Sequence, residues 1–159
     1  MIENFNVNIA LYRPEIPSNT GNIGRLCVGL NMTLHIVSKP SFILSAKEVR
    51  RAGLDYWDKL NLIKHENENT FLEYCNTNNR RIVPISKFGK IRYDEFDYSN
   101  NDIFLFGRET SGLCESLWEN SLDNALYIPM SDDIRSINLS NTVAIISYEA
   151  FRNIILSKK

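Results

Sequence analysis

Charged side chains stand beside glycine, proline, serine and asparagine in three stretches of this sequence, and these are where its types and spacing suit chemistry. The first is Arg13-Pro14-Glu15-Ile16-Pro17-Ser18-Asn19-Thr20-Gly21-Asn22-Ile23-Gly24-Arg25. The second is Phe106-Gly107-Arg108-Glu109-Thr110-Ser111-Gly112-Leu113, and the third runs from Ile128-Pro129-Met130 through Arg135-Ser136-Ile137-Asn138-Leu139-Ser140-Asn141. The Gly21/Gly24 pair invites a dinucleotide reading, but neither a G-x-G-x-x-G nor a G-x-x-x-x-G-K-[ST] phosphate loop is present. A G-x-S-x-G elbow is also missing, and His35 and His65 fall in or beside expected strands, where a Ser-His-Asp triad is hard to assemble. Cys27, Cys75 and Cys114 are widely spaced and odd in number, which argues for reduced thiols over a disulfide framework. With two histidines besides, no usual zinc-ligand spacing occurs, and no metal is expected.

The elements that must position these stretches follow from hydrophobic periodicity. Strands are expected at residues 7–12, 33–37, 60–65, 81–85, 103–106 and 125–128. Between the first two, Ile23, Leu26, Cys27 and Leu30 recur at i, i+3, i+4 and i+7, which predicts an amphipathic helix over 20–30. Asn69 is a candidate cap for a helix carrying Phe71, Leu72, Tyr74 and Cys75. A short helix is expected at 113–118 and a long one at 139–156. Strand-helix alternation predicts an α/β fold with a mostly parallel sheet flanked by helices. Ligands of such sheets sit beyond the carboxyl ends of the strands, and all three stretches follow strands.

The chain has 159 residues, enough for one domain, with 43% hydrophobic and 23% charged residues, a globular balance. Its apolar runs are far shorter than the roughly 18 residues that span a bilayer, so no membrane association is expected. Met1-Ile2-Glu3-Asn4 lacks the basic and apolar regions of a secretory signal, and the expected location is cytoplasmic. Net charge is −1, split as +3 over residues 1–95 and −4 over 96–159. The pairs Arg50-Arg51 and Arg80-Arg81 and the Lys87/Lys90/Arg92 group are basic clusters of a kind that meets phosphates, although each alone is more often a solvated surface.

Order and spacing of the three stretches, together with Arg50-Arg51-Ala52-Gly53-Leu54-Asp55-Tyr56, resemble motifs one, two and three of the SPOUT (SpoU-type) RNA ribose 2′-O-methyltransferases over essentially the whole chain. Likeness is greatest to the small TrmL/YibK-like branch, which acts at the tRNA wobble nucleotide. Arg108, Ser111 and Cys114 depart from the residues usual in that branch. The resemblance implies S-adenosylmethionine as methyl donor, tRNA as substrate, a homodimer and a C-terminal trefoil knot. It also implies cofactor contacts from Ile85, Gly107, Gly112, Ile128, Ser136 and Ile137, a catalytic group of Arg25, Asn22, Glu109 and Asn141, and RNA contacts from Arg50, Arg51 and Tyr148.

Each of these residues also has a plainer reading. Gly107 and Gly112 suit a tight turn as well as close approach to a cofactor. The three isoleucines are core residues that also form an apolar slot, and Ser136 is a turn former that also suits cofactor contact. Asn138, Ser140 and Asn141 open a helix and are natural caps, although one can cap while another faces a ribose. Glu109 pairs with Arg108 or Arg25 on a surface, or organises the site and anchors Arg25. Tyr148 packs in a core or dimer, or meets RNA. Arg25 is a poor general base because a guanidinium stays charged at neutral pH. Its expected work is to hold a phosphate and stabilise developing alkoxide charge, with Asn22 orienting it. The leading expectation is an enzyme that transfers a methyl group to the wobble cytidine or uridine ribose of leucine tRNA or to another RNA ribose; Arg25, Glu109 and Asn141 favour it over noncatalytic RNA binding on the same fold, and the missing glycine fingerprint disfavours an unrelated nucleotide binder.

Overall fold

A computed structural model describes residues 2–45 and 47–157, apart from the surroundings of Gly53 and Leu54 in the Arg-Arg-Ala-Gly-Leu-Asp-Tyr segment. Among the described residues seven strands form one sheet, all parallel: β1 (Asn8–Tyr12), β2 (Thr33–Val37), β3 (Leu62–His65), β4 (Arg81–Ile85), β5 (Ile91–Arg92), β6 (Asp102–Phe106) and β7 (Leu126–Tyr127). Their spatial order is β3-β2-β1-β6-β4-β7-β5. The two middle strands of the longer-strand half, β1 and β6, are buried at every position, as central parallel strands must be.

Helices cover both faces. Odd positions of β1, Ile9 and Leu11, pack against Ile23 and Cys27 of α1 (Pro17–Gly29) and against Val143, Ile146 and Ala150 of α5 (Leu139–Phe151). Even positions, Ala10 and Tyr12, meet Phe71 and Cys75 of α3 (Glu68–Thr77) and Leu117 of α4 (Glu115–Trp118). A further helix, α2 (Lys47–Gly53), lies against α1 and was not expected, because Val49 is the single buried apolar residue of its Lys47-Glu48-Val49-Arg50-Arg51 run.

Local chemistry explains the element ends. Pro17 opens α1, where its missing N–H costs nothing. The cap of α3 is Asn67 rather than Asn69, because Thr70 at N3 completes a reciprocal box: Thr70 N–H donates to Asn67 Oδ1 (3.0 Å) and Asn67 N–H to Thr70 Oγ1 (3.3 Å). The final helix ends in a π-helical turn, Arg152–Leu156, so the α-helical part is shorter than 139–156. At the opposite end of the sheet from the ligand edge, Asp102 is fully buried. It accepts from Arg81 Nε (2.6 Å) and Nη2 (3.0 Å) and from Ser99 N–H (2.8 Å), which ties β4 to β6.

The two histidines are structural. Asn8 Nδ2 and His35 Nε2 are 2.9 Å apart, His35 Nδ1 and His65 Nε2 are 2.9 Å apart, and Phe71 and Tyr74 enclose the rings. Burial, reinforced by His65 and Arg80, pushes His35 down to about 3, and burial also lowers His65. A lowered folded-state value leaves the folded protein with fewer bound protons than the unfolded chain below about pH 6.5. Stability from this pair is therefore complete above that pH and lost as the pH falls. The imidazole resonances of His35 should hold neutral-ring positions between pH 8 and 5; an NMR titration with a midpoint near 6.5 would contradict this.

Candidate functional site

The second stretch, after β6, is a closed hairpin. Arg108 N–H donates to Gly112 O and Gly112 N–H to Arg108 O, both at 3.0 Å. Its two glycines have different reasons to be there. Gly112 has φ 71°, the left-handed region, whereas a Cβ on Gly107 would collide with the backbone of Gly112 and Leu113. The room that Gly107 leaves is taken by the returning arm of its own loop.

This hairpin is locked to the first stretch by an exchange of carboxylates. Glu109 Oε2 accepts from Glu15 N–H (2.9 Å) and Oε1 from Ile16 N–H (3.0 Å), immediately before α1. In return Glu15 accepts from Thr110 Oγ1 (2.8 Å), Thr110 N–H (3.3 Å) and Arg108 Nε (3.2 Å). Ile16 offers α1 no side-chain cap, so the Glu109 charge fills that role at the positive end of the helix. The Thr110 hydroxyl, ahead of the Thr110 amide and Arg108, holds the Glu15 carboxyl below the usual range.

The third stretch joins through Asn138. Its Oδ1 caps α5, accepting from Ser140 N–H (2.9 Å) and Asn141 N–H (3.3 Å), while its Nδ2 donates to Asn19 Oδ1 (3.1 Å) on α1. Asn138, not Asn141, is therefore the cap. Buried Asn19 is a site residue that the roles assigned from sequence passed over, although it stands in the Asn-Thr-Gly-Asn turn.

Together the three stretches enclose a cavity of about 580 Å³ at the carboxyl ends of β4, β6 and β7, within the size range of small-ligand sites. Ile85, Gly107, Gly112, Ile128, Ser136 and Ile137 all line it, and Glu109, Asn19 and Arg108 do so as well. The isoleucines give an apolar slot, and an added Cβ on Gly112 would meet nothing within 4 Å, so the loop presents open backbone there.

The other expected residues lie elsewhere in the protomer. Asn22 and Arg25 are on the exposed face of α1, Asn141 is exposed in the first turn of α5, and Tyr148 is exposed further along it. Arg50 and Arg51 border a separate shallow depression beside Trp57. Glu109 does not anchor Arg25. Arg25 is nine helical steps beyond Ile16, roughly 13 Å at 1.5 Å per step, and the Arg25 guanidinium instead lies 5.3 Å from the centre of the Tyr56 ring.

Residues 6–148 match the model of the SpoU rRNA Methylase family. The chain belongs to that family. It is 45% identical over 150 residues to the "Putative tRNA (cytidine(34)-2′-O)-methyltransferase" of Bacillus subtilis (strain 168), covering 92% of each chain. The relative of the same description from Listeria monocytogenes serotype 4b is 46% identical over 148 residues, 91% of this chain and 86% of the relative. Among solved structures, one described as "Structural insights into the 2-OH methylation of C/U34 on tRNA" superposes with a TM-score of 0.88 at 35% identity, over 96% of this chain and 97% of the other. An AdoMet-bound rRNA methyltransferase from Sinorhizobium meliloti shares the fold, with a TM-score of 0.86 at 24% identity over 94% of this chain and 57% of its own.

Glu109→Ala should lower stability by about 2 kcal/mol, the scale of lost hydrogen bonds to a charged group. Glu109→Gln, which keeps an acceptor, should cost about 1 kcal/mol. Urea midpoints at unchanged m-value measure both.

Proposed function

We propose that this protein transfers the methyl group of S-adenosylmethionine to the ribose 2′-hydroxyl of nucleotide 34, a cytidine or uridine, in a tRNA. The observation that carries this is the agreement between the three-loop cavity, which all six expected cofactor residues line, and the match to relatives described as acting at that position. We further infer a leucine acceptor tRNA, a homodimer and the family's trefoil knot, each resting on the sequence resemblance, and a cytoplasmic location, which suits a protein that acts on tRNA.

The cavity suits the donor: Ile85, Ile128 and Ile137 give walls for a purine and an apolar slot for a sulfonium, while Ser136 and the open backbone at Gly112 offer hydrogen bonds. When bound, the donor supplies an electrophilic methyl on sulfur. Everything else is done by the chain. Arginine keeps its charge in proteins. Arg25, steadied by the Tyr56 ring, holds the phosphate beside the reacting ribose and stabilises charge developing on the 2′-oxygen, while that phosphate or water accepts the proton. Asn22, three residues earlier on the same exposed face, orients it, and Asn141 approaches the ribose from the start of α5. Glu109 acts as a positioning residue through the N-terminus of α1.

Arg25 and Asn22 do not line the cavity of their own protomer. This supports a homodimer in which α1 of one subunit faces the cavity of its partner. Arg50 and Arg51 then extend a basic surface from α2, and Tyr148 offers an aromatic contact on α5.

Transfer of labelled methyl to tRNA, followed by nucleoside analysis, tests the function: the expected product is ribose-methylated nucleotide 34. Binding of donor and tRNA without transfer would instead establish the noncatalytic reading. Arg25→Ala should cut turnover by about 10²–10³-fold while sparing donor binding; near-normal turnover would leave Arg25 structural. Double substitution of Arg50 and Arg51 by Ala should weaken tRNA binding and reduce its log–log salt slope by about 1 to 2. Light scattering that finds an active monomer would exclude the dimer.

A further inference from the structure

Phe88 is the most exposed aromatic side chain among the described residues, with 68% of its surface accessible, yet its backbone is tightly held. It sits in the turn between β4 and β5. Ser86 N–H donates to Leu126 O (3.0 Å), Phe88 N–H to Ser86 Oγ (3.2 Å), Gly89 N–H to Ser86 O (2.9 Å) and Lys90 N–H to Ala125 O (2.9 Å). Gly89 presses so closely on Leu126 that a Cβ there would strike its backbone. A five-residue turn fastened at four points therefore presents a large apolar ring to water at the mouth of the cavity, which Phe88 also lines.

Core packing does not account for this ring, since it belongs to neither hydrophobic cluster. Its surroundings are cationic. Lys87 Nζ lies 5.2 Å from the ring centre and exposed Arg135 lines the same cavity from the third stretch, while Lys90, two residues on, is paired with Asp123 at 2.9 Å. An apolar planar face set among cations and open to solvent matches a ligand that is planar and aromatic on one side and anionic on the other. A nucleotide of single-stranded RNA has that character: bases of unpaired loops stack on aromatic side chains while lysine and arginine track the phosphates.

We propose that Phe88 is a stacking platform for a nucleobase of the tRNA anticodon loop, at or next to the nucleotide whose ribose is methylated, with Lys87 and Arg135 meeting the flanking phosphates. This rests on the function proposed above and adds a base subsite to it. Stacking is tolerant of base identity because every base has a π-face, so the platform accepts cytidine and uridine alike. It sets where the ribose lies relative to the cavity without reading the base.

The test compares wild type with Phe88→Ala, Phe88→Leu and Phe88→Tyr in three measurements: KM for tRNA in methyl transfer, donor affinity by calorimetry, and melting temperature. Alanine and leucine should raise KM about ten-fold, and tyrosine, which keeps the ring, should stay within about two-fold. Donor affinity and melting temperature should be unchanged in all three. An unchanged KM in Phe88→Ala overturns the platform, as does leucine performing like phenylalanine, which would make the contact merely apolar. Weakened donor binding would assign the ring to the donor and also overturn it. A wild-type protein that transfers no methyl overturns the function instead. Fluorescence anisotropy of a labelled anticodon stem-loop RNA then still reads the platform, and equal affinity across the four proteins removes it.

Discussion

Two carboxylates hold the functional edge of this molecule together, each accepting hydrogen bonds from the segment that carries the other. Glu109 sits on the loop after β6 and binds the amides in front of α1, while Glu15 in front of α1 binds the loop after β6. β1 and β6 are hydrogen-bonded neighbours, so the two loops leave the sheet side by side. The exchange converts that proximity into a fixed relation. With the hairpin set, the left-handed Gly112 and the packed Gly107 define one wall of the cavity, and α1 starts at a defined height above the sheet. Asn138 extends the same logic to the third loop by capping α5 and reaching Asn19.

From that anchored start, α1 carries its own side chains outward. Gly24 lets the Trp57 ring lie directly on the helix, and the neighbouring Tyr56 comes under Arg25. A side chain at Gly24 would meet the indole at 2.7 Å, so the glycine is what permits the 3₁₀ segment Leu54–Lys59 to approach. One helix thus has two chemical ends: its N-terminus belongs to the cavity and its exposed middle to a different surface. The long side chain that would do chemistry is held away from the cavity that its own loop builds.

Much of this was legible in the sequence. The strands at 33–37 and 81–85 are where alternation puts them, and of the stripe of Ile23, Leu26, Cys27 and Leu30 three are buried and Leu26 is half-buried, with Leu30 at the C-cap of α1. The six cavity residues were legible only through motif resemblance, because an isoleucine, glycine or serine carries no mark in its type of whether its neighbour is core or ligand. Three things were hidden for physical reasons. α2 has too few apolar positions to show a period, and β5 is two residues long, held mainly by its pairing with β7. The partner of Glu109 was hidden too. Sequence offered Arg25 and Arg108 as opposite charges, whereas the structure uses two backbone amides more than ninety residues away, and amides leave no trace in composition. The cap expected at Asn69 falls instead on Asn67, because Thr70, three residues on, answers it reciprocally.

β6 slots between β1 and β4, although some ninety residues separate it from β1 along the chain. During synthesis β1 therefore waits with one hydrogen-bonding edge bare while some ninety residues are added, roughly 5–20 s at about 5–20 residues per second. An apolar, unpaired strand edge exposed for that long is a template for association with other nascent chains. The same delay has a benefit. The cavity needs β6, β7 and the start of α5, so a fragment that stops short of α5 lacks a finished site, and a ligand that fills the cavity reports that all three loops are in place.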